Sequence, residues 1–264
     1  MSPRRIAPGA LFLALGVHVA ASLWANFVLF RSRTLLGIAR GTGGLIDGTL
    51  VANALLLALV VGVCLVGIGG ARLRELGFRP RTLGRGLLAI LAAWVGVVLL
   101  ARGLAALSGA AAAPAMRRVN PGMLLGQVFG NVPYEEILFR GVLPAQLALS
   151  LPKRGDRPRW GLGLLVSQVV FALIHVPNRL AFDAWTSISA AVSDLGALFV
   201  IGLILSFVAL RTRNLFIAMG IHLFLNTAEL LIPAPGWSIY AAIVVAAIGF
   251  LAWGPISGEP REPE

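Results

Sequence analysis

The sequence predicts an all-α fold: a polytopic membrane helix bundle of about eight transmembrane helices. Of its 264 residues, 58% are hydrophobic and only 12% are Asp, Glu, Lys or Arg, whereas soluble domains carry about 25% of these charged types. The mean hydropathy of +0.88 agrees with this composition. Apolar blocks of 17–29 residues alternate with short basic loops, and a helix needs about 20 apolar residues to cross a bilayer.

Each predicted span is one of these apolar blocks. In chain order the spans are Ala10–Phe30, Leu45–Gly70, Leu83–Ser108, Pro121–Leu149, Trp160–Val176, Ala190–Leu210, Asn214–Ile232 and Trp237–Trp253. Arg4 and Arg5 precede the first block as in a signal peptide, but no convincing small-residue cleavage site follows it, so we interpret the block as a retained span. Because no polar segment is long enough to bury a core, we expect one integral-membrane domain over residues 1–264.

The positive charges predict the orientation of the chain. If the N-terminus is cytoplasmic, the inner segments hold 14 Lys and Arg residues and the outer segments hold 6. The positive-inside rule therefore favours cytoplasmic positions for both termini of a multi-pass protein in the cell membrane. Nearly all the arginines flank apolar blocks, which predicts contacts with lipid head groups. No basic stripe interleaved with aromatic residues is present, so we do not expect nucleic acid as a partner.

The fourth span contains the stretch NVPYEEILFRG, with three ionisable side chains inside an apolar block. Each costs roughly 2.5–3.5 kcal/mol at the centre of a membrane helix. Glu136 and Arg140 are four residues apart, about 40° around a helix, which favours an ion pair and allows a purely structural interpretation. Glu135 lies about 140° from Arg140. Asn131 and Gln127 extend the face of Glu135 as a polar stripe.

Two further spans carry polar pairs at helical spacing. FALIH places Phe171 on the face of His175, and HLFLN places His222 and Asn226 four residues apart. Each alone is compatible with packing or with an interhelical polar contact. Polar residues on three separate spans instead indicate a buried site with a general base, a proton partner and hydrogen-bond donors. We interpret the remaining histidine, His18, as structural.

These residues resemble the motifs EExxxR, FxxxH and HxxxN of the CPBP family of intramembrane proteases. That family includes the CAAX prenyl endopeptidases and the bacteriocin-processing proteins of the Abi group. The motifs stand here in the family's order, as Glu135–Arg140, Phe171–His175 and His222–Asn226. The resemblance covers about Pro121–Ile232, which we expect to be the catalytic core, whereas the first three spans match only in being hydrophobic.

The resemblance implies an intramembrane endopeptidase that hydrolyses a peptide bond of a membrane-associated or membrane-embedded protein or peptide. Carried over by motif, Glu135 is the base that activates water, and His175 polarises the water and moves the proton. His222 and Asn226 are the oxyanion donors, and Glu136 with Arg140 holds the geometry. The residues leave the catalytic type open: Glu135, His175 and His222 could bind zinc, and a glutamate mechanism without metal uses the same atoms.

Two other functions compete with the protease. A proton-coupled transporter could use the membrane glutamates as a relay, but no inverted repeat and no matched pair of Gly- or Pro-broken helices is evident in the sequence. A catalytically idle scaffold or immunity-type binding protein could keep the fold without the chemistry. The intact set of motif residues favours the enzyme.

Overall fold

The computed structural model describes residues 4–109, 120–151 and 159–253, and within these ranges all regular structure is helical. The α-helices of the described residues are α1 (Pro8–Phe27), α2 (Arg33–Gly41), α3 (Gly48–Leu56), α4 (Pro80–Leu107), α5 (Pro121–Gly126), α6 (Val132–Glu136), α7 (Leu143–Ser150), α8 (Trp160–Leu173), α9 (Val176–Ala181), α10 (Ile188–Thr212), α11 (Leu215–Leu231) and α12 (Gly236–Trp253). Three more segments are π-helical, namely Leu57–Ile68, Gln127–Asn131 and Ile137–Val142, and Leu29–Arg31 is a short 3₁₀ turn.

Six helical segments of the described residues are long and apolar enough to cross a membrane. They are Pro8–Arg31, Gly48–Ile68, Arg81–Leu107, Trp160–Ala181, Ile188–Thr212 and Gly236–Trp253. The predicted all-α, multi-pass architecture is therefore confirmed, but the count of eight is not. The seventh predicted span is an apolar helix of 17 residues, Leu215–Leu231, and the fourth is divided into short α- and π-helical segments. Lys153, Arg154 and Arg157, which contribute to the predicted orientation, lie outside the described residues.

The chain divides into two compact units. Within the described residues, the first unit comprises 4–78 and 120–203, and the second comprises 79–109 and 204–253. The first motif and the FxxxH motif belong to the first unit, and the HxxxN motif belongs to the second.

In the first unit, α5 and the π-helical segment after it pack against α3 through three glycines spaced four residues apart. A Cβ at Gly122 would lie 2.4 Å from the Gly44 carbonyl oxygen, one at Gly126 would lie 3.0 Å from the Leu50 nitrogen, and one at Gly130 would lie 2.6 Å from the Asn53 Cβ. Small residues at this spacing allow membrane helices to approach closely. The glycines therefore set how closely, and in which rotation, the segment before Glu135 packs against α3.

The starts of α3 and α5 are joined by their capping side chains. Asp47 accepts a hydrogen bond from the Leu50 N–H at 2.9 Å, and its other carboxylate oxygen accepts one from the Asn120 amide at 3.0 Å. Asn120 in turn accepts a hydrogen bond from the Gly122 N–H at 2.9 Å. Each cap satisfies N–H groups that have no partner inside their own helix, so the two helices begin side by side.

In the second unit, α11 is held against α4 at three levels. Asn214 caps α11 and donates to the Thr82 carbonyl at 3.1 Å. Gly220 lies so close to the Ile90 side chain that a Cβ would come within 2.2 Å of it, and the rings of Phe224 and Trp94 are 4.6 Å apart. The position of the HxxxN motif along α4 is therefore set by packing on both sides of His222.

Candidate active site

The helix that carries the two adjacent glutamates is widened before and after them. The π-helical segment Gln127–Asn131 ends directly before a Val-Pro pair, and the segment Ile137–Val142 ends directly before a Leu-Pro pair. Pro133 and Pro144 therefore stand at the second position of α6 and α7. A proline ring clashes with the carbonyl four residues earlier and offers no N–H. A wider π turn relieves this clash and is frequent at functional sites. Glu135 and Glu136 thus lie on a short α-helical segment between two distortions.

The second distortion releases a main-chain carbonyl, which the neighbouring helix α8 then satisfies. The Leu143 N–H bonds to the Leu138 carbonyl, and residue 144 is a proline without an N–H, so the Phe139 carbonyl loses both of its usual helical donors. Ser167 and Gln168 donate to this oxygen at 3.1 and 3.2 Å. Both side chains are completely buried, and a buried carbonyl without a partner would cost about 1–3 kcal/mol. These bonds therefore attach α8 to the glutamate-bearing segment.

Glu136 and Arg140 form the predicted ion pair. The distance from Arg140 Nη1 to Glu136 Oε1 is 3.0 Å, and both side chains are 0% exposed. The guanidinium carbon of Arg140 also lies 4.1 Å from the centre of the Phe171 ring. A desolvated cation over an aromatic face gains about 2 kcal/mol or more. The charge of Arg140 is therefore compensated by a carboxylate from its own helix and by a ring from α8.

Phe171 also contacts His175, both through its ring and through its main chain. The two rings are 5.0 Å apart in an edge-on arrangement. Because α8 ends at Leu173, the Phe171 carbonyl lies in the last turn of the helix, and it accepts a hydrogen bond from His175 Nδ1 at 2.8 Å. A carbonyl can only accept, so Nδ1 carries the proton. In neutral His175 the lone pair is consequently on Nε2, which is able to accept a proton or bind a metal.

Glu135 lies between Tyr134 and Glu136 and is 6% exposed. Of the polar stripe that the sequence predicts on its face, Asn131 and Gln127 are bonded to each other, with the Asn131 amide donating to Gln127 Oε1 at 3.2 Å. The two adjacent carboxylates have different surroundings, since Glu136 bonds to the arginine one turn later.

His18 is closer to the candidate site than the sequence interpretation allowed. Its Nδ1 shares a short hydrogen bond with the Tyr134 hydroxyl, and the two rings are stacked with centres 5.6 Å apart. His18 is 4% and Tyr134 only 1% exposed. Tyr134 directly precedes Glu135, so a buried histidine of α1 contacts the residue next to the two glutamates. The only sequence signal for this role was the rarity of histidine in the chain, which has three.

A polar network holds α9, which begins directly after His175. The Asn178 amide donates to Asn26 Oδ1 on α1 at 2.9 Å. Arg179 donates to both carboxylate oxygens of Asp194 on α10, at 2.8 and 3.3 Å, and the Trp185 indole N–H donates to the same carboxylate at 3.1 Å. Such two-pronged pairs fix orientation as well as distance. The loop around His175 is thus tied to α1 and α10.

The HxxxN motif lies on α11 in the second unit. His222 is 5% exposed, whereas Asn226 is on the exposed surface of that unit. His222 and Asn226 lie about two and three turns beyond the Asn214 cap. Thr227, next to Asn226, donates a hydrogen bond to the Leu223 carbonyl at 2.6 Å. The motif therefore occupies a regular, well-anchored helix.

The comparisons with known proteins agree with the motif order. Residues 118–228 match a family described as "Type II CAAX prenyl endopeptidase Rce1-like". This segment is similar to that family. The match contains all three motifs, from Glu135 to Asn226. Neither a curated protein nor a solved structure matches the chain significantly. The chain is thus a multi-pass membrane protein with an Rce1-like, CAAX protease-like segment, and this family acts on membrane-associated protein substrates.

Metal binding depends on which histidine, cysteine and acidic side chains lie together. Within the ranges that the structure describes, no group of three His, Cys, Asp or Glu side chains is gathered closely enough to hold a metal ion. A catalytic zinc needs three protein ligands and one open position. Among the described residues no such set is gathered.

Proposed function

We propose that this chain is an intramembrane endopeptidase in which Glu135 activates a water molecule to hydrolyse a peptide bond of a membrane-associated protein. The observation that carries the proposal is the hydrogen bond from His175 Nδ1 to the Phe171 carbonyl, which leaves Nε2 of neutral His175 as an acceptor, while the Phe171 ring contacts the arginine that is paired with Glu136. Arg140 is committed to Glu136 by the ion pair, so the two adjacent carboxylates can take different roles.

The chemistry uses the side chains in sequence. Glu135 takes a proton from water while His175 Nε2 accepts a hydrogen bond from the same water, and the water oxygen forms a bond to the carbonyl carbon of the substrate. His222 and Asn226 donate hydrogen bonds to the oxyanion that forms. Glu135 then gives its proton to the amide nitrogen, the C–N bond breaks, and a carboxylic acid and an amine leave. Glu136 and Arg140 act as positioning residues and do not contact the substrate.

The test compares membranes that contain wild-type protein, Glu135→Gln or Glu229→Gln. Glu229 is an exposed glutamate of α11 outside the three motifs, so its replacement is a matched control for the loss of one carboxylate. Peptide termini of all membrane proteins are compared by mass spectrometry, and a farnesylated C-a-a-X peptide is added as a defined probe. We expect new termini with wild type and with Glu229→Gln, and none with Glu135→Gln at equal abundance. Equal termini in all three samples would overturn the proposal.

A further inference from the structure

The second compact unit has an open groove of about 610 Å³ on the face shared by α4 and α12. Its walls are mostly alanine and glycine, among them Ala92 and Gly96 on α4 and Ala246 and Gly249 on α12. The groove exists because these side chains are small: a Cβ built at Gly96 or at Gly249 would meet no atom within 4 Å.

The groove is long and apolar. Its walls extend from Arg85 to Leu100 on α4 and from Ala242 to Trp253 on α12, which at about 1.5 Å per residue makes it roughly 17–22 Å long. Apart from Arg85, the residues that line it are apolar, as a bound hydrocarbon chain requires.

One end of the groove is positively charged. Arg85 lies there on α4, and Trp253, the last residue of α12, lines the same groove. Arg85 has no ion pair among the described residues, and the described part of this unit has one acidic residue, Glu229. Glu229 lies 15 positions beyond the Asn214 cap of α11, about 22 Å along that helix, and Asn214 joins the start of α11 to α4 near Arg85. Within the described residues of this unit, the positive charge at the groove end thus has no acidic side chain beside it, and an anionic group would complement it.

We propose that this groove is a binding site for one anionic phospholipid, with an acyl chain between α4 and α12 and the phosphate beside Arg85. The predicted orientation places Arg85 on the cytoplasmic side, where anionic lipids attract arginine. Trp253 lies at the same end, as expected for an indole at the membrane–water interface. Inside a bilayer, tight packing in a shaped groove distinguishes a bound chain from the surrounding lipids.

The site is tested by native mass spectrometry of the detergent-purified protein with phosphatidylglycerol or phosphatidylcholine of identical chains. Wild type should retain one phosphatidylglycerol per chain, and an excess of phosphatidylcholine should not displace it. Gly96→Leu and Gly249→Leu fill the groove and should weaken retention by at least about tenfold, because several methylene groups lose their contacts. Gly103→Leu is the matched control: Gly103 is on α4, has open space at its Cβ, and does not line the groove.

The charge is tested separately. Arg85→Gln should reduce the preference for phosphatidylglycerol by about fivefold, whereas Arg102→Gln, an exposed arginine of the same helix, should leave it unchanged. Thermal unfolding without added lipid verifies that each variant folds. Equal lipid retention by Gly96→Leu and Gly103→Leu would overturn the site. A change from dimer to monomer in the groove-filling variants would also overturn it, because the occupant would then be a second copy of the chain. Cleavage activity is not a readout, so the result does not depend on the proposed protease.

Discussion

At the scale of single residues, the candidate site is built from main-chain atoms as much as from side chains. Pro144 removes one donor from the Phe139 carbonyl, and the Phe171 carbonyl in the last turn of α8 accepts a hydrogen bond from His175. Ser167 and Gln168 then bond to the first of these oxygens. The residues with chemical roles are therefore oriented by buried hydrogen bonds to backbone carbonyls, which are costly to break.

The Glu136–Arg140 pair gives a prediction for stability and activity together. Arg140→Ala should reduce both abundance and turnover, because removing one partner of a buried pair costs about 3–5 kcal/mol. Adding Glu136→Gln removes the uncompensated carboxylate, so the double variant should regain abundance but not turnover. Abundance in membranes and cleavage rate are measured for wild type and both variants. A double variant no more abundant than Arg140→Ala would refute the ion pair as the source of the loss.

The buried contact of His18 predicts a stability effect at Tyr134. Tyr134→Phe removes the hydroxyl that bonds to His18 Nδ1 and keeps the ring that stacks on it. The unpaired buried nitrogen should lower the free energy of unfolding by about 1–3 kcal/mol. Thermal unfolding in detergent measures the loss, and Tyr240→Phe on α12, a partly exposed tyrosine, is the control that should change little. An unchanged midpoint for Tyr134→Phe would argue against a structural role for the hydroxyl.

At the scale of helices, the glutamate-bearing segment is positioned by glycines, which have no side chain, and by prolines, which have no N–H. Gly122, Gly126 and Gly130 bring its first two turns against α3, and the proline-linked π turns then reorient the chain. Hydrophobicity alone predicts one long span here, because hydropathy is insensitive to how tightly the main chain is wound. Pro133 and Pro144 were the available sequence signals for its division.

The glycine stripe predicts a position-dependent effect of added methyl groups. Gly126→Ala should destabilise the protein by about 1–3 kcal/mol, because its Cβ would press on the α3 backbone, which cannot move aside locally. Gly16→Ala on α1 is the matched control: its Cβ meets nothing within 4 Å, so the higher helix propensity of alanine should leave stability equal or slightly greater. Thermal unfolding midpoints in detergent compare the two. The packing argument fails if both substitutions have the same effect.

At the scale of the whole molecule, the sequence predicted the fold class, whereas contacts between distant parts of the chain needed the structure. The three motifs and the Glu136–Arg140 contact depend on local spacing, which a helix translates directly into geometry. The His18–Tyr134 bond joins residues 116 positions apart, and no local pattern predicts it. The predicted count of eight spans is not confirmed: in the part of the chain that the structure describes, six helical segments are long enough, α11 is shorter and the fourth block is interrupted.

The catalytic type is a property of the whole protein and can be measured directly. In the proposed mechanism, Asn226→Ala should lower turnover by about 10²–10³-fold, the usual loss for one oxyanion donor. Prolonged treatment of wild type with a strong chelator should leave turnover unchanged. Cleavage of the substrate found by the comparison of membrane termini is the readout for both. Loss of activity with chelator and its recovery on adding zinc, together with a mild Asn226→Ala phenotype, would instead establish a metalloenzyme.

Position 171 supplies a carbonyl whichever side chain it carries. The proton on His175 Nδ1 is therefore independent of the phenylalanine ring, although the ring contacts both the imidazole and Arg140. The two nitrogens of a neutral imidazole differ in ¹⁵N chemical shift according to which one is protonated. Selective ¹⁵N labelling of histidine should accordingly give the same protonation pattern for His175 in wild type and in Phe171→Leu. Aromatic contacts at this position can thus be altered, by drift or by engineering, without changing the tautomer of the histidine.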